Sequence, residues 1–570
     1  MKRINLAILS VVAAATLLLV QAMWAQIQAE VATLIQSGET QKALARIRDG
    51  ADVNELQPDG TSPLLWAVNR GEPEVVEALL AKNADPNATN AFGASPLTEA
   101  AKVNNAGMVR MLLDAGAEVD AANPDGETAL MLAIQGGNLD MVEMLLDAGA
   151  NANTVEQFHQ QTPLMYAAAG AQGEMVRLLL AKGADVTRRS LFTDWPSQIT
   201  SEPRTQYRSV GGLTALLYAA RSGCYSCTEQ ILDAGADIER PTPEGITPLM
   251  VALDNENNGV AQLLIERGAD IHTWDWWGRT PLWIAVDRKP SDNPGFSGFG
   301  GGRGGRGGRG GIPFPAEPVS DQPEVSPDEM IALLLAAGVD SNPEMNFHRP
   351  NAPGRGRFGD NHVSTGTTPL FRAVQLSDET SVEALLKAGA DPNIDSMGYT
   401  AFLLAAGTGP RVRGGASGPN MEMLDLMFEY AKPDINAKVT GTLQWSFNVS
   451  RVYSPQDREP ADNEGMSALH TAAQTGNLEL VQYLLEKGAD ANLLNAQGKK
   501  PIDLIPAPAP ARGRGARGGA KGKGKGAPAA KGKGAPKGGF GGARGGRGAP
   551  PPPDPADLVE IRSLLEAAAQ

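Results

Sequence analysis

The chain is poor in the residues that most often carry out chemistry. It has two cysteines, Cys224 and Cys227, and five histidines scattered along the sequence. Two cysteines cannot build a disulfide framework, and they lack the second pair that a structural zinc site needs. No H-E-x-x-H or G-x-S-x-G motif occurs, and the glycine-rich runs lack the Lys-Ser/Thr pair of a phosphate-binding loop. The sequence therefore predicts no catalytic residue, no metal site and no cofactor.

Aromatic residues are also scarce, and charge is unevenly distributed along the 570 residues. Only 5% of the chain is aromatic, whereas glycine (66 residues) and proline (41) are abundant, which is typical of ordered parts mixed with low-complexity parts. The formal net charge is −15, yet two glycine-rich tracts, 298–311 and 507–553, contain cations and no acid. The ordered body is therefore acidic and the low-complexity segments are basic.

Long apolar runs are limited to the amino terminus. Lys2 and Arg3 precede an apolar stretch, 4–20, and small residues follow at Ala22 and Ala25. This is the layout of a secretory signal peptide, so we expect cleavage to remove 1–25, with an uncleaved membrane anchor as the alternative. After cleavage we expect no transmembrane span, and we expect an exported protein that is periplasmic or secreted.

What the chain does contain is an internal repeat. Segments GTSPLLWAVNRGEPEVVEALLAKNADPN, GASPLTEAAKVNNAGMVRMLLDAGAEVD and GETALMLAIQGGNLDMVEMLLDAGANAN begin 33 residues apart, at Gly60, Gly93 and Gly126. Ser or Thr before Pro predicts a capped helix start, and Val and Leu three and four residues apart predict an apolar stripe on a second helix. The glycine of G-A-D suits a left-handed helix end, and at Asn83 the residue next best at that conformation replaces it.

These residues resemble the ankyrin repeat, with its T-P-L-x-x-A, V-x-x-L-L and G-A-D-x-N segments. The resemblance recurs over most of residues 28–505 and in the last helix. It implies a mainly α fold, a solenoid of about twelve helix-turn-helix units with β-hairpin fingers between them. It also implies a non-enzymatic scaffold that binds another protein. The fourth position of T-P-L-H, usually His in the family, is mostly apolar here and is His only at His470.

Insertions interrupt the repeats and define the predicted organisation. The Arg-Gly insertion and the basic Gly/Pro/Lys/Arg tract fall between the two helices of one unit, and we expect both to be disordered because they cannot bury apolar area. The predicted segments are a signal peptide (1–25), N-terminal repeats (26–289), the Arg-Gly insertion (290–327), C-terminal repeats with inserted loops (328–505), the basic tract (506–555) and a capping helix (556–570).

The basic tracts suggest polyanion binding through charge and guanidinium stacking. The alternative is that they are tolerated inserts that contact the acidic body of the same chain. Nucleic acid is not expected as the main partner, because few aromatic residues interleave the cations. The polyanion-binding candidates are Arg303, Arg306, Arg309, Arg512, Arg514, Arg517, Lys521, Lys523 and Lys525.

Two sets of residues are candidates for protein contact. Trp274, Trp276 and Trp277 fall in a finger, where exposed tryptophan is typical of an interface. The alternative is that they pack on a neighbouring insertion. The resemblance places a second set on the concave groove, where the alternative is packing between repeats: Trp66, Tyr166, Tyr218 and Arg372.

The cysteine pair stands in GCYSC, at the turn and start of a second helix. After export, a local disulfide between Cys224 and Cys227 is the leading interpretation. A redox-active pair and two free thiols are the alternatives, and no His follows the pair as c-type haem attachment requires. For the whole chain, the expected function is a protein-binding scaffold; the alternatives are a polyanion- or envelope-binding protein and an enzyme with an unrecognised site.

Overall fold

The computed structural model describes residues 30–193, 210–289, 321–345, 366–396, 398–409, 418–440, 463–507 and 553–570. The predicted signal peptide, 1–25, lies outside these residues, as does the greater part of both basic insertions. All of the arginine and lysine candidates for polyanion binding also lie outside the described residues.

The chain divides into two compact units, Met1–Ala390 and Asp391–Gln570. The division falls later than the insertion that separates the N-terminal and C-terminal repeats in the sequence. The first unit is built of helix pairs, with one short strand pair between the fifth pair and the next. Its elements are α1 (Val31–Gln36), α2 (Thr40–Arg48), α3 (Pro63–Asn69), α4 (Pro73–Leu80), α5 (Pro96–Lys102), α6 (Ala106–Asp114), α7 (Ala129–Gln135), α8 (Leu139–Asp147), α9 (Pro163–Ala169), α10 (Gly173–Ala181), β1 (Phe192–Thr193), β2 (Val210–Gly211), α11 (Ala215–Ser222), α12 (Tyr225–Asp233), α13 (Pro248–Asp254), α14 (Asn258–Glu266), α15 (Pro281–Arg288), α16 (Pro327–Ala336), α17 (Pro369–Leu376) and α18 (Glu379–Lys387).

From the second pair of the first unit onward, the first helix of each pair begins at the Ser or Thr cap that the sequence predicts. A Ser or Thr hydroxyl accepts a hydrogen bond from the amide three residues on, as Ser62 does from Leu65 at 3.1 Å. Each such cap stabilises a helix by about 1 kcal/mol. At the end of α4, Asn83 takes φ 62°, which confirms its predicted role as the substitute for glycine. The same caps are formed by Ser95, Thr128, Thr162, Thr214, Thr247, Thr280 and Thr368.

Stacking of the helix pairs buries the apolar faces that a single pair would leave exposed to solvent. First helices pack on first helices, from α1 through α3, α5 and onward to α17, and second helices pack on second helices from α2 to α18. The core between these rows is continuous and aliphatic, and includes Leu64, Val76, Leu112 and Val142, all buried. This confirms a mainly helical repeat fold.

The Arg-Gly insertion lies inside one repeat, because α15 and α16 pack against each other on either side of it. Lys289, the last described residue before the insertion, reaches across to Asp328 at 2.6 Å and Asp378 at 2.7 Å. Both carboxylates belong to helices that follow the insertion or cap them. These ion pairs join the described residues on the two sides of 290–320.

The second unit contains the remaining helices. They are α19 (Ala401–Ala405), α20 (Met421–Tyr430), α21 (Ala468–Thr475), α22 (Leu478–Glu486), a 3-10 helix (Pro501–Leu504) and α23 (Pro555–Ala568). The terminal helix α23 packs on α22 and on the 3-10 helix. The sequence predicts this helix as a cap separated from its partner by the basic tract, and that role stays a prediction.

His470 plays the part that its position in T-P-L-H implies. Its Nδ1 accepts the amide of Ser467 at 3.2 Å, and its Nε2 lies 3.1 Å from the carbonyl of Lys499. Burial lowers the pKa of His470, and the bond to Lys499 only partly offsets that effect.

Among the helices that the structure describes, none combines the length and the apolar character that a membrane span requires.

Candidate functional site

The connections between helix pairs, here called fingers, are tight turns closed by a polar side chain. At the tip of the second finger, Asn90 Oδ1 accepts the amides of Phe92 and Ala94, both at 3.0 Å. Asn123 and Asp275 make the equivalent pair of bonds in later fingers. The resemblance implies hairpins, yet most of the described fingers close on two backbone hydrogen bonds around one turn, and β1/β2 is the one regular strand pair among them. The fingers are too short for a longer ladder.

Successive fingers touch each other at their tips. The amide of Ala91 donates to the carbonyl of Asp59 at 2.8 Å, and that of Gln157 to Asp125 at 2.8 Å. Gly126 of the third finger, at φ 80°, comes so close to the fourth finger that a Cβ there would lie 2.7 Å from the nitrogen of Gln157. The tips therefore form one close-set edge of the first unit, here called the fingertip row.

Two tryptophans stand out from this row. Trp274 and Trp276 are 68% and 69% exposed, and the amide of Trp276 donates to the carbonyl of Glu244 in the preceding finger at 2.9 Å. Trp277 is half-buried, with the guanidinium of Arg279 5.3 Å from its ring centre. Of the three predicted tryptophans, the structure therefore presents two at the surface and uses the third as support.

A buried ionic network holds this tryptophan finger (273–279) in place. Arg279 Nε lies 2.7 Å from Asp275 Oδ2, and Arg279 Nη1 lies 3.2 Å from Asp254 Oδ1. Asp254 is also paired with Arg288 at 2.6 Å. Burial raises the pKa of Asp275, with Arg279 partly opposing, whereas the two aspartates raise the pKa of Arg279 against the effect of its burial. The exposed tryptophans thus stand on a fixed base.

The predicted groove residues are less accessible. Trp66, Tyr166 and Tyr218 are half-buried. Trp66 Nε1 donates to Gln57 at 2.8 Å, and Gln161 donates to the hydroxyl of Tyr218, so both rings are tied to the base of a finger. Burial, with smaller effects of nearby carboxylates, raises the pKa of Tyr166. These rings therefore serve partly as packing against the fingers, and their place on a concave groove stays a prediction.

Arg372 does not lie where the resemblance places it. Its side chain is buried, with Nε 2.8 Å from Asp287 and Nη1 3.0 Å from Gln375. Asp287 belongs to α15, before the Arg-Gly insertion, and Arg372 belongs to α17, after it. Arg372 therefore stabilises the stacking of these helices, and we leave it out of the contact surface.

Cys224 and Cys227 are joined by a disulfide, with their Cα atoms 5.2 Å apart, and both side chains are buried. Cys224 caps α12, because its Sγ accepts the amide of Cys227 at 3.1 Å. The Asp321 carboxylate, near the end of the insertion, accepts the amides of Tyr225 and Ser226 at 2.7 and 2.9 Å. The disulfide therefore lies at a packed helix start, which the last part of the insertion also contacts.

Sequence reasoning overlooked two parts of this surface. Phe92 and Phe158, at 70% and 60% exposure, belong to the same row of tips as the tryptophans. The sequence does not mark them, because both stand one residue beyond the point where a finger touches its neighbour, and that point is known only from the structure. The D-x-x-x-R spacing of Asp275 and Arg279 was the signal for the buried pair. In the part of the chain that the structure describes, no cluster of three His, Cys, Asp or Glu could hold a metal ion.

Comparison with known proteins agrees with the repeat geometry. A segment of 138 residues is 26% identical to alpha-latrocrustotoxin-Lt1a of Latrodectus tredecimguttatus, covering 24% of this chain and 7% of the toxin. Another, of 178 residues, is 30% identical to the ankyrin repeat and KH domain-containing protein mask-1 of Caenorhabditis elegans, covering 30% of this chain and 7% of that protein. The chain thus matches only a small part of the length of either relative.

Family models match the repeats directly. The model described as ankyrin repeats (3 copies) matches residues 31–123, 116–190 and 216–292. Single-repeat and many-copy ankyrin models match 365–396 and 461–505. These matches together cover more than half of the chain, and they coincide with the stacked helix pairs and touching fingers described above. The chain therefore belongs to the ankyrin-repeat family.

Proposed function

We propose that this chain is a non-enzymatic scaffold that binds another protein through the fingertip row of its first unit. One observation carries the proposal: Trp274 and Trp276 stand largely exposed on a finger whose base is a buried ion-pair network. Exposed tryptophan is costly to leave in water and is enriched among the residues that dominate binding energy. A rigid base reduces the ordering cost that a partner must overcome.

The family supports the same proposal, since stacked repeats offer an extended surface and no enclosed chamber. A cavity of about 570 Å³ lies on the outer helices α6 and α8 and is lined by Arg110, Asp114, Asp140 and Glu143, among others. It is shallow and charged, unlike the apolar cleft of a small-molecule site. We therefore assign recognition to the fingers.

We also propose that the protein is exported by the leader at 1–25. The layout of that leader and the Cys224–Cys227 disulfide support the proposal, because disulfides persist in oxidising compartments.

The experiment is capture of a partner from cell-envelope extract with the immobilised chain. The test variant is Trp274→Ala/Trp276→Ala, and Val559→Ala on α23 is the control, since Val559 is equally exposed but lies in the second unit. A chain lacking 290–320 and 508–552 tests the basic tracts. We expect the double tryptophan variant to weaken capture at least tenfold, about 1.4 kcal/mol. Capture that survives this variant but is lost with the basic tracts contradicts the proposal.

A further inference from the structure

Near the end of the Arg-Gly insertion, residues 321–326 lie across the starts of two second helices that precede the insertion, and we call this segment the strap. Asp321 accepts the amides of Tyr225 and Ser226, the first two residues of α12, at 2.7 and 2.9 Å. Neighbouring helices pack about 10 Å apart and an extended chain rises about 3.3 Å per residue. Six residues are therefore long enough to reach from α16 back over α14 to α12.

The strap takes the place of a cap at the start of α14. In α6, α8 and α22, an asparagine at the N-cap accepts the amide of the third helical residue. Asn257, at the same position before α14, instead donates from Nδ2 to the carbonyls of Ala220 and Arg221 at 2.9 and 3.0 Å. Gln322 Oε1 of the strap lies 3.3 Å from the amide of Val260, the third residue of α14, and accepts it. The strap therefore supplies the acceptor that Asn257 does not provide.

The fit between the strap and α14 is close. A Cβ on Gly259 would lie 2.5 Å from the carbonyl oxygen of Pro323, so any larger residue there would push the strap away. Asn258 Nδ2 donates to the carbonyl of Val325 at 3.1 Å. The strap then ends at Ser326, the cap of α16. It is thus held at both helices that it crosses.

The disulfide and the strap share the start of α12. Cys224 is the N-cap of this helix, and its Sγ accepts the amide of Cys227, the third helical residue, at 3.1 Å. The same Sγ lies 3.7 Å from Oγ of Ser226, whose amide Asp321 accepts. One sulfur and one carboxylate therefore divide the first three amides of the helix between them. While the cysteines are joined, the carboxylate is the one anion of the two.

Reduction would add a second anion at this helix start. A thiolate of an external dithiol attacks one sulfur, the S–S bond breaks, and the other sulfur leaves as a thiolate; the second thiolate of the dithiol then displaces the protein and closes a cyclic disulfide. The dithiol loses two electrons and the cysteine pair gains them, with one proton bound by Cys227 and one released to water. In C-x-x-C motifs a helix N-terminus favours the thiolate of the first cysteine, here Cys224. That thiolate and the Asp321 carboxylate would repel each other and compete for the same amides.

We propose that the strap is redox-sensitive: it stays on α12 and α14 while Cys224 and Cys227 are joined, and a dithiol reductant releases it by forming the Cys224 thiolate. Linkage requires the reverse effect, so the docked Asp321 resists reduction of the cysteine pair. Release frees the last residues of the Arg-Gly insertion from α14, the helix that leads into the tryptophan finger.

The first experiment equilibrates the full chain with mixtures of reduced and oxidised dithiothreitol and counts thiols by alkylation and mass spectrometry. Cys224 and Cys227 are the two cysteines of the sequence, so the count reports this pair alone. Asp321→Asn removes the competing charge, and the control Glu324→Gln removes the same charge from an exposed position of the strap. We expect Asp321→Asn to shift the equilibrium toward the reduced pair at least tenfold, about 30 mV, and the control to shift it less than threefold.

The second experiment measures hydrogen exchange at the amide of Val260, which reports the contact with Gln322. Reduction of the unaltered chain should speed this exchange at least tenfold. Exchange at the amide of Val142 in α8 should stay the same, because the repeats remain folded. Cys224→Ser/Cys227→Ala forms no thiolate, so its Val260 amide should stay as protected as in the oxidised chain, with or without reductant.

Equal shifts of the redox equilibrium in Asp321→Asn and Glu324→Gln would overturn the proposal, because they would show an effect of overall charge. Unchanged exchange at Val260 on reduction would also overturn it. Fast exchange at Val260 in Cys224→Ser/Cys227→Ala would contradict it as well, since release would then follow from loss of the cross-link and not from competition between thiolate and carboxylate.

Discussion

Replacing Arg279 by methionine tests whether the buried network supports the tryptophan finger. Methionine keeps most of the side-chain stem and removes the charge. Asp254 retains Arg288 as a partner, but Asp275, which is almost fully buried, loses its ion pair with Arg279. Removing one partner of a buried pair typically costs about 3–5 kcal/mol. We expect the free energy of unfolding of the first unit to fall by about that amount.

A second change should restore most of the loss. Asparagine at 275 can still accept the amides of Trp277 and residue 279, as Asn90 does in the second finger with Ala94 in the equivalent position. Asp275→Asn combined with Arg279→Met therefore removes the orphaned charge and keeps the turn. We expect the double variant to lie within about 1.5 kcal/mol of the original chain.

The assay is urea denaturation followed by far-ultraviolet circular dichroism, with hydrogen exchange at the amides of Trp277 and Arg279 as a local probe. Loss of protection at these amides in Arg279→Met, and its recovery in the double variant, separates a loosened finger from a global effect. The reasoning is refuted if the two variants are equally unstable, since the penalty would then come from lost packing and not from the unpaired carboxylate.

Three further predictions concern stability and export. The pKa of His470 is lowered from 6.5 in the folded state, so the unfolded chain takes up the proton first as the pH falls. The free energy of unfolding should therefore decrease below about pH 6.5, by at most about 1.4 kcal/mol per pH unit. Urea midpoints at pH 7.5 and 5.5 should differ less in His470→Thr than in the unaltered chain, and an equal difference in both would argue against the assignment to His470. Cys224→Ser/Cys227→Ala should lower the free energy of unfolding by no more than about 2 kcal/mol, because the closed loop is very short and serine can replace the cap. The melting temperature of this variant should not respond to dithiothreitol, unlike that of the unaltered chain. A response would show that the reductant acts elsewhere. Mass spectrometry of the protein purified from its host should find a mature amino terminus after Ala22 or Ala25, and an intact Met1 would contradict cleavage.

The repeat fold was predictable from sequence because its signals are local. A capping hydroxyl at Ser62 and a left-handed helix end at Asn83 each follow from neighbouring residues, and the structure contains both. Such signals recur in most repeats, so an error in one does not displace the others.

Contacts between neighbouring repeats were harder to predict. Arg372 occupies a groove position by register, but its side chain pairs with Asp287 of α15, the helix that directly precedes the Arg-Gly insertion. The exposure of Phe92 and Phe158 likewise depends on how neighbouring fingers meet, which no single repeat specifies. Burial of Asp275 with Arg279 follows from that same stacking. The exposure and contacts of residues that lie between two or more repeats can therefore be read only from the structure.

The central claim is that the fingers of the first unit are the contact surface, and site-specific photo-crosslinking tests it most directly. A benzophenone amino acid placed at Phe92, Phe158 or Trp276 should form adducts with the captured partner. The same group placed at Asp140 or Glu143, on the outer helix α8, should form none. Adducts from the outer helix with none from the fingers would contradict the account.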